Sequence, residues 1–417
     1  MSGAHVIRVP GDKSISHRAL ILGALSSGES RVRGILRSAD VESTSTVLRS
    51  LGVKLPPLAD EMRFQGVGLQ GFSEPASVLQ AGNSGTTVRL IAGVAAAHRF
   101  SSRFEGDESL SARPMKRIAD PLAAMGARID FDRDDGLPMT IHGGALTGVS
   151  WNTRAASAQT KSAILLAGLA AKVQVTVRES LRSRDHTERM LASMGAQLST
   201  DALTVSISPV DSIGPLDIEI PGDPSSAAYF VALAILGAGV VELPGVCINH
   251  TRTGFIEVAK AMGASVEYTG RMSVAGDSVA TLITRPSRLS TARVDPGSIP
   301  SMIDELPLLA CVAAAAGIDI EVRGAGELRA KESDRITSVV TNLCAVGASA
   351  QELPDGFRVR ARSGPLAGRV TTGGDHRIAM SFGILGALRG NEIEIDDPDC
   401  VEVSYPRFWA DLAHLTS

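Results

Sequence analysis

At least six segments of the sequence place lysine, arginine or small polar residues directly before an apolar run, where a helix is expected to begin. The first, VPGDKSISHRAL, carries Lys13, Ser14 and Arg18. Free backbone amides and the helix dipole favour anions at such an end, and the two cations strengthen that preference. Asp12 stands where a Walker phosphate loop needs glycine, so the segment does not indicate an NTPase. A solvated, charged helix start is the alternative interpretation.

Four further residue groups repeat this pattern. GNSGTTVR contains Gly85, whose missing side chain lets a ligand approach the backbone closely. ARPM places Arg113 before a proline that can begin a helix. SAQTKSA contributes Ser157 and Gln159, and SRDHTE contributes Arg184 before another helix. Each segment alone is also compatible with a structural turn. Together they predict a site for one or two small polyanionic substrates.

Two acidic residues are candidates for proton transfer. Asp304 directly precedes a very apolar run, where burial could raise its pKa toward that of a useful base; a simple N-cap is the alternative. In GELRAKESDRI, Lys331 and Arg335 are four residues apart and would share one helix face, with Glu332 beside them. A solvated charged helix start is again the alternative. GGDHRIAM places Arg377 at the entry to another apolar helix.

The composition excludes several classes of function. Lysine and arginine total 41 against 45 aspartates and glutamates, a net charge of −4, so no general attraction for nucleic acid or anionic membranes is expected. Four widely spaced cysteines predict reduced thiols, with neither a zinc site nor disulfides. Neither H-E-x-x-H nor G-x-S-x-G is present in the sequence, so we expect no metal and no serine nucleophile.

The chain is expected to be cytoplasmic. Its longest uncharged apolar run, residues 227–241, has 15 residues, fewer than the roughly 20 that cross a bilayer. The charged motif at residues 12–18 leaves no room for a signal or transit peptide. We therefore expect no membrane partner.

One local pattern recurs and predicts how these segments are positioned. A helix-like stretch ends in a glycine between hydrophobic or small residues, and a strand-like stretch follows; the glycines are Gly52, Gly126, Gly195, Gly263 and Gly347. Glycine directly after a helix is the expected C-cap. Ordinary, unrelated helix ends are the alternative. The spacing predicts an α/β architecture of about six repeated units in two lobes of three.

Two Pro-Gly-Asp segments, PGDKS and IPGDPSSAAYF, are candidate crossovers between the lobes. They predict a discontinuous domain, residues 1–11 and 222–417, and an inserted domain, residues 12–221. The first would carry Asp304, Glu332, Arg335 and Arg377, and the second Lys13, Arg18, Arg113, Gln159 and Arg184. A cleft between the lobes is then the expected binding site.

The motifs jointly resemble the 5-enolpyruvylshikimate-3-phosphate synthase (EPSP synthase) family. They span residues 10 to 380 in family order and are PGDKSISHRA, GNSGTTVR, ARPM, SAQTKSA, SRDHTE, GDPSSAAYF, SMIDELP, ELRAKESDR and DHRIAM. The resemblance implies a two-lobed inverse α/β barrel of six βαβαββ-type units, three per domain. It implies that phosphoenolpyruvate and shikimate 3-phosphate give 5-enolpyruvylshikimate 3-phosphate and phosphate. It also implies a monomer that needs no cofactor.

The resemblance further implies roles for individual residues. Shikimate 3-phosphate would be bound by Lys13, Ser14, Arg18, Ser157, Gln159, Arg184, Asp304 and Lys331. Phosphoenolpyruvate would be surrounded by Lys13, Gly85, Arg113, Gln159, Arg335 and Arg377. Asp304 would accept the proton of the attacking 5-hydroxyl, and Glu332 would exchange a proton with the methylene carbon, with Lys13 and His376 assisting. The inhibitor glyphosate would fit beside Gly85, because no side chain intrudes there.

One position departs from the family pattern. Many relatives carry lysine before Ser/Thr-Phe-Pro, whereas this chain has Val403 in EVSYPRF, and Arg407 is a possible substitute. Two alternatives to the main interpretation are open. UDP-N-acetylglucosamine enolpyruvyl transferases usually carry a reactive cysteine in the loop before Arg-Pro, which GDESLSARPM lacks. A non-catalytic anion-binding homologue would be suggested by loss of Asp304, Glu332 or Arg335, and all three are present.

Overall fold

The computed structural model describes residues 4–416 and divides into two compact units. The inserted unit comprises Gly11–Ile220 and Ser273–Asp277; the discontinuous unit comprises residues 4–10, Pro221–Met272 and residues 278–416. The predicted domain bounds fall one residue later at both crossovers. Residues 1–3 and 417, which belong to the predicted discontinuous domain, lie outside the described residues.

One short segment departs from the predicted domains. Ser273–Asp277 was expected in the discontinuous domain but belongs to the inserted unit. There the Gly276 carbonyl accepts a hydrogen bond from Arg189 Nη1 at 2.8 Å, and an Asp277 carboxylate oxygen lies 2.7 Å from His186 Nδ1. These bonds attach the segment to the inserted unit. No local sequence signal indicated this attachment.

Residues 4–220 contain seven helices and twelve strands. The helices are α1 (Lys13–Leu25), α2 (Ala39–Ser50), α3 (Gly85–Ala96), α4 (Glu108–Ser111), α5 (Lys116–Ala124), α6 (Ala158–Ala171) and α7 (His186–Ser193). The strands are β1 (His5–Val6), β2 (Glu29–Arg33), β3 (Glu61–Gln65), β4 (Leu79–Gln80), β5 (Ser101–Glu105), β6 (Arg128–Phe131), β7 (Met139–His142), β8 (Ser150–Asn152), β9 (Val175–Arg178), β10 (Leu198–Asp201), β11 (Thr204–Ile207) and β12 (Asp217–Glu219).

The rest of the chain alternates in the same way. Its helices are α8 (Pro224–Leu233), α9 (Gly254–Ala261), α10 (Leu306–Ala316), α11 (Arg335–Ala345), α12 (His376–Gly386) and α13 (Phe408–Thr416). Its strands are β13 (Val241–Cys247), β14 (Ser265–Val274), β15 (Asp277–Arg285), β16 (Ile320–Val322), β17 (Ser349–Leu353), β18 (Gly356–Arg360), β19 (Ala367–Val370) and β20 (Glu392–Ile395). A π-helical turn covers Ala234–Ala238, and 3₁₀ turns cover Pro296–Ser301, Ile303–Glu305, Gly326–Ala330 and Pro398–Val403.

The strands form six separate sheets, which agrees with the predicted six repeats. The orders are β12-β2-β3, β4-β5-β7-β6 and β10-β11-β9-β8, then β1-β13-β15-β14, β16-β18-β17 and β19-β20. Five sheets contain one parallel pair, for example Ile218 opposite Val32 in β12 and β2. Within residues 4–416 no sheet closes on itself, so neither unit is a closed barrel.

The five repeated glycines confirm the predicted helix ends. Each has a positive φ, between 88° and 111°. After α2, Gly52 N donates to Arg49 O and Val53 N to Leu48 O, the paired bonds of a Schellman motif. The same two bonds recur after α5, α7, α9 and α11. A side chain would be strained in this left-handed conformation, which is why glycine repeats here.

Three βαβ crossovers, through α3, α6 and α12, bring helix starts next to the carboxyl ends of parallel strands. These helices are buried nearly all round, as their smooth apolar sequences require. Gly85, Gln159 and Arg377 lie in their first turns. In open α/β sheets, ligand-binding groups lie at the carboxyl ends of the parallel strands. No helix in the described part of the chain combines the length and apolar character needed to cross a bilayer.

Candidate active site

The start of α1 bears the first predicted cation. Asp12 caps the helix by accepting a hydrogen bond from Ile15 N at 2.8 Å, so α1 begins at Lys13 and contains all three predicted residues of this segment. The Lys13 ammonium lies 2.9 Å from an Asp40 carboxylate oxygen at the start of α2. Ser14 is half-buried beside it. This ion pair links the starts of α1 and α2. No sequence signal indicated it, because Lys13 and Asp40 are 27 residues apart.

Arg18 is anchored by three elements at one point. Its Nε donates to Thr187 Oγ1 at 2.7 Å, Nη2 to Ser162 Oγ at 3.0 Å and Nη1 to the Ser14 carbonyl at 2.9 Å. The residue is only 4% exposed. A guanidinium fixed by α1, α6 and α7 is pre-organised to donate to an anion without reorganising its neighbours. Arg184 is half-buried two residues before α7, in the segment that leads to Thr187.

The start of α3 lies among two arginines and an amide. Ser84 caps the helix, which begins at Gly85. A methyl group added to Gly85 would lie 2.9 Å from Arg89 Nη1 and 3.6 Å from Arg113 Nη1. Arg89 Nη1 donates to Gln159 Oε1 at 2.6 Å, so the amide of α6 is fixed against α3. The backbone of Gly85 thus lies directly beside two cations.

Arg113 is held in the short connection between α4 and α5. Its Nη2 donates to Asn83 Oδ1 at 2.7 Å and lies 3.3 Å from Ser109 Oγ. The proline after it was predicted to begin a helix, and this is wrong: α5 begins at Lys116, because the carboxylate of Asp135 accepts from the backbone N–H of that residue.

The start of α6 is capped by Ser157, which accepts from Thr160 N. One turn along, the buried Lys161 ammonium lies 2.7 Å from both Glu179 and Glu188. Burial lowers the pKa of Lys161, but the two carboxylates outweigh it and the net shift is upward. Burial has the opposite effect on the carboxyl group of Glu188 and raises its pKa. Glu179 in turn accepts from Ser183, so this cluster fixes the segment that carries Arg184.

In the discontinuous unit, one guanidinium holds the two predicted proton-transfer residues. Arg335 Nη1 lies 3.1 Å from Asp304 Oδ1, and Nη2 lies 2.6 Å from Glu332 Oε2. Its Nε and Nη2 donate to the two oxygens of Asp375 at 2.8 and 3.2 Å. Lys331 Nζ reaches Asp304 Oδ1 at 3.2 Å. The structure therefore brings together both carboxylates and both cations that the sequence selected here.

The charges in this cluster reinforce one another. Burial lowers the pKa of Arg335, but Asp375, Glu332 and Asp304 together outweigh it, so its pKa is raised and the guanidinium stays charged. Burial alone would raise the pKa of Asp375, yet Arg335 lowers it overall. A buried charged network of this kind stays in place only while every partner is present.

Lys331 and Glu332 do not lie on a helix face, contrary to the prediction. The 3₁₀ turn ends at Ala330, and α11 begins only at Arg335. Asp334 caps α11 by accepting from Ile336 N and Thr337 N, which stops the helix from extending toward its N-terminus. The side chains converge because the segment is irregular. Asp304 lies in the 3₁₀ turn before α10, and Glu305 occupies the N-cap position of that helix.

Arg377 and His376 begin α12, behind the capping residue Asp375. Arg377 is buried, and its Nη1 lies 3.8 Å from Glu305 Oε1. Burial lowers the pKa of Arg377, but nearby Tyr229 and acidic groups outweigh it, so the net shift is upward. His376 is also buried at this end.

Arg407 points to a different partner. Its Nη2 lies 2.8 Å from Asp411 Oδ1, one turn along the chain, and its side chain is 75% exposed. Val403 is half-buried at the end of the 3₁₀ turn. Nothing in these contacts directs Arg407 toward the predicted ligands.

Several site neighbours were not selected from the sequence: Asp40, Arg89, Ser162, Glu179, Thr187, Glu188, Glu305 and Asp375. A signal existed for six of them, which lie within the GNSGTTVR, SAQTKSA, SRDHTE, SMIDELP and DHRIAM motifs: Arg89, Ser162, Thr187, Glu188, Glu305 and Asp375. Asp40 and Glu179 stand outside these motifs.

The EPSP synthase family model, described as 3-phosphoshikimate 1-carboxyvinyltransferase, matches residues 4–412. A protein of that name from Sulfurihydrogenibium sp. is 47% identical, with 98% of this chain and 96% of the relative aligned. One from Aquifex aeolicus is 44% identical over 97% and 96% of the two chains.

Solved structures are similar over the whole chain as well. EPSP synthase from Acinetobacter baumannii has a TM-score of 0.87 at 38% identity and covers 99% of this chain and 95% of its own. The enolpyruvyl transferase NikO from Streptomyces tendae has a TM-score of 0.75 at 17% identity, over 100% and 95% of the two chains. The second likeness concerns the fold alone.

Proposed function

Because the chain belongs to the EPSP synthase family, we propose that it transfers the enolpyruvyl group of phosphoenolpyruvate to the 5-hydroxyl of shikimate 3-phosphate, with release of phosphate. The observation that carries the proposal is the guanidinium of Arg335, which holds Asp304 and Glu332 together. The reaction needs two separate proton-transfer groups close to a fixed positive charge.

The substrates are anions, and the cations of both units match them. Lys13, Ser14, Arg18, Ser157, Gln159, Arg184 and Lys331 are assigned to shikimate 3-phosphate, and Lys13, Gly85, Arg113, Gln159, Arg335 and Arg377 to phosphoenolpyruvate. Support comes from the helix starts that carry several of these groups and from anchors such as Thr187 on Arg18 and Asn83 on Arg113. Fixed guanidinium groups bind phosphate and carboxylate in two-point geometry.

The two carboxyl groups have different tasks. Asp304 takes the proton of the 5-hydroxyl as that oxygen bonds to the central carbon of phosphoenolpyruvate. Glu332 gives a proton to the methylene carbon in the same addition. In the elimination the carbon–oxygen bond to phosphate breaks, the Glu332 carboxylate takes back a proton from the new methyl group, and the leaving phosphate takes the proton that Asp304 held. Each such group typically contributes about 10²- to 10⁴-fold to the rate.

Lysine and arginine charges stabilise phosphate as it leaves, and Lys13 and His376 assist proton transfer. No cofactor takes part in this scheme. We also propose that the enzyme is a cytoplasmic monomer. Closure around the substrates would exclude water and protect the tetrahedral intermediate from hydrolysis.

Phosphate release tests the proposed function and separates it from the two alternatives. The purified protein is given phosphoenolpyruvate with shikimate 3-phosphate, with UDP-N-acetylglucosamine, or alone. Release only with shikimate 3-phosphate is expected. Release with the nucleotide sugar would identify the other enolpyruvyl transferase class, and binding of shikimate 3-phosphate without release would identify a non-catalytic homologue.

A further inference from the structure

A chain of buried hydrogen bonds leads from α1 through α2 to the start of α3. His17 Nδ1 lies 2.7 Å from Thr44 Oγ1, which lies 2.6 Å from Thr87 Oγ1. Thr87 Oγ1 donates to Ser84 Oγ at 2.7 Å. All four side chains are at most 1% exposed. The chain ends on the residue that caps α3, directly before Gly85.

The donors in this chain fix its direction. A hydroxyl group carries one hydrogen, and that of Thr87 is given to Ser84. Thr87 therefore accepts from Thr44, whose only hydrogen is then also used. His17 must donate to Thr44 through Nδ1, which makes Nε2 the acceptor nitrogen of a neutral ring. Nε2 is buried and forms no hydrogen bond with the described residues.

The surroundings keep this imidazole neutral. Burial lowers the pKa of His17 to about 3; Asp40 opposes the shift, and Lys13 and Arg18 add to it. A neutral imidazole ring has one donor and one acceptor nitrogen. It can therefore begin a chain in which every hydrogen bond is donated in the same direction. An imidazolium at this position would carry a third positive charge between two cations on the same helix.

The chain connects residues that the proposed function assigns to ligands. His17 lies between Lys13 and Arg18 on α1, and Asp40, one turn before Thr44 on α2, pairs with Lys13. At the far end, a methyl group on Gly85 would meet Arg89 and Arg113 at 2.9 and 3.6 Å. Movement of the α3 start by a few tenths of an ångström would therefore change the room for a ligand.

We propose that His17, acting through the hydroxyl chain, is a positioning residue that sets Gly85 against Arg113 for phosphoenolpyruvate. The tautomer follows from the hydrogen bonds alone, whereas the identity of the positioned ligand rests on the proposed function. His17 touches neither substrate in this scheme. Its contribution is the fixed geometry of the α3 start.

The hydroxyl of Thr44 provides a clean test, because Thr44→Val keeps the shape and breaks the chain, while Thr44→Ser keeps the hydroxyl. We expect Thr44→Val to raise KM for phosphoenolpyruvate about tenfold, with kcat and KM for shikimate 3-phosphate changed by less than about threefold. Thr44→Ser should stay close to wild type. Equal KM values for the two variants would overturn the positioning role.

Nitrogen-15 NMR of the labelled full-length protein tests the tautomer without any turnover. The His17 signals are identified by their loss in His17→Asn. We expect a protonated Nδ1 and an unprotonated Nε2 at neutral pH. A protonated Nε2 would overturn the direction of the chain, whether or not the protein is active. If the expected tautomer is found in a protein that releases no phosphate, the result contradicts the proposed function and leaves the direction of the chain unchanged.

Discussion

Arg335 and Asp375 form a two-point ion pair, with Nε 2.8 Å from Oδ2 and Nη2 3.2 Å from Oδ1. Both side chains are almost completely buried. The pair leaves Nη1 and one edge of Nη2 directed to Asp304 and Glu332. Asp375 therefore sets the angle at which Arg335 contacts the two proton-transfer groups, although it lies 40 residues further along the chain.

Arg335→Lys should reduce kcat/KM for phosphoenolpyruvate by about 10- to 150-fold, since lysine cannot form the two-point contact and a lost charge-assisted bond costs about 1.5 to 3 kcal/mol. Steady-state phosphate release measures the effect. Arg329→Lys is the matched control, because Arg329 pairs with Asp334 and Glu352 near the surface. An Arg335→Lys enzyme as active as the control would contradict the assigned role.

Gly85→Ala should weaken inhibition by glyphosate about tenfold or more, because the added methyl group would lie between the α3 start and the Arg113 guanidinium, and 1.4 kcal/mol of lost binding is tenfold. The inhibition constant is measured against phosphoenolpyruvate. Gly144→Ala is the control, since a methyl group there meets no atom within 4 Å. An unchanged inhibition constant in Gly85→Ala would show that the inhibitor binds elsewhere.

Arg407→Ala should leave KM for phosphoenolpyruvate within about twofold of wild type, because the Arg407 side chain is 75% exposed and an ion pair made by such an arginine contributes little. Its partner is Asp411 in α13. A tenfold rise in KM would show instead that Arg407 replaces the lysine that many relatives carry near Val403.

The free energy of unfolding should fall as pH decreases below 6.5, in part because of His17. The folded-state pKa of about 3 lies below the ordinary value of 6.5, so between these values the unfolded chain binds a proton that the folded chain does not. This contribution is complete above pH 6.5 and is lost toward pH 3, by up to about 1.4 kcal/mol per pH unit.

Urea unfolding of wild type and His17→Asn at pH 7.5, 6 and 5 measures this contribution. For each protein the free energy of unfolding is plotted against pH. The difference between the two slopes isolates the contribution of His17, because the other titrating groups are common to both proteins. Identical pH dependence in the two proteins would mean that the His17 ring becomes protonated in the folded state.

The repeated architecture was predictable because its signals are local. Each of the five glycines follows its helix by two residues, and its positive φ is a backbone requirement that sequence expresses directly. The helix starts near Lys13, Gly85 and Arg377 were predictable for the same reason, since each of these segments leads into an apolar run.

The partners of the site residues were not predictable by such means. Asp40 reaches Lys13 across 27 residues, and Thr187 reaches Arg18 across 169. Such pairs depend on tertiary packing and have no periodic signature. The helical spacing of Lys331 and Arg335 was misleading, because the Asp334 cap starts α11 four residues later than the pattern suggested.

In the proposed reaction, Glu332 supplies the proton to the methylene carbon of phosphoenolpyruvate. The most direct test is single-turnover phosphate release with both substrates, for wild type, Glu332→Gln and the surface control Glu352→Gln. We predict that Glu332→Gln lowers the rate by about 10²- to 10⁴-fold, while it still binds shikimate 3-phosphate and the control stays at the wild-type rate. A Glu332→Gln rate within threefold of wild type would show that Glu332 is not the proton donor.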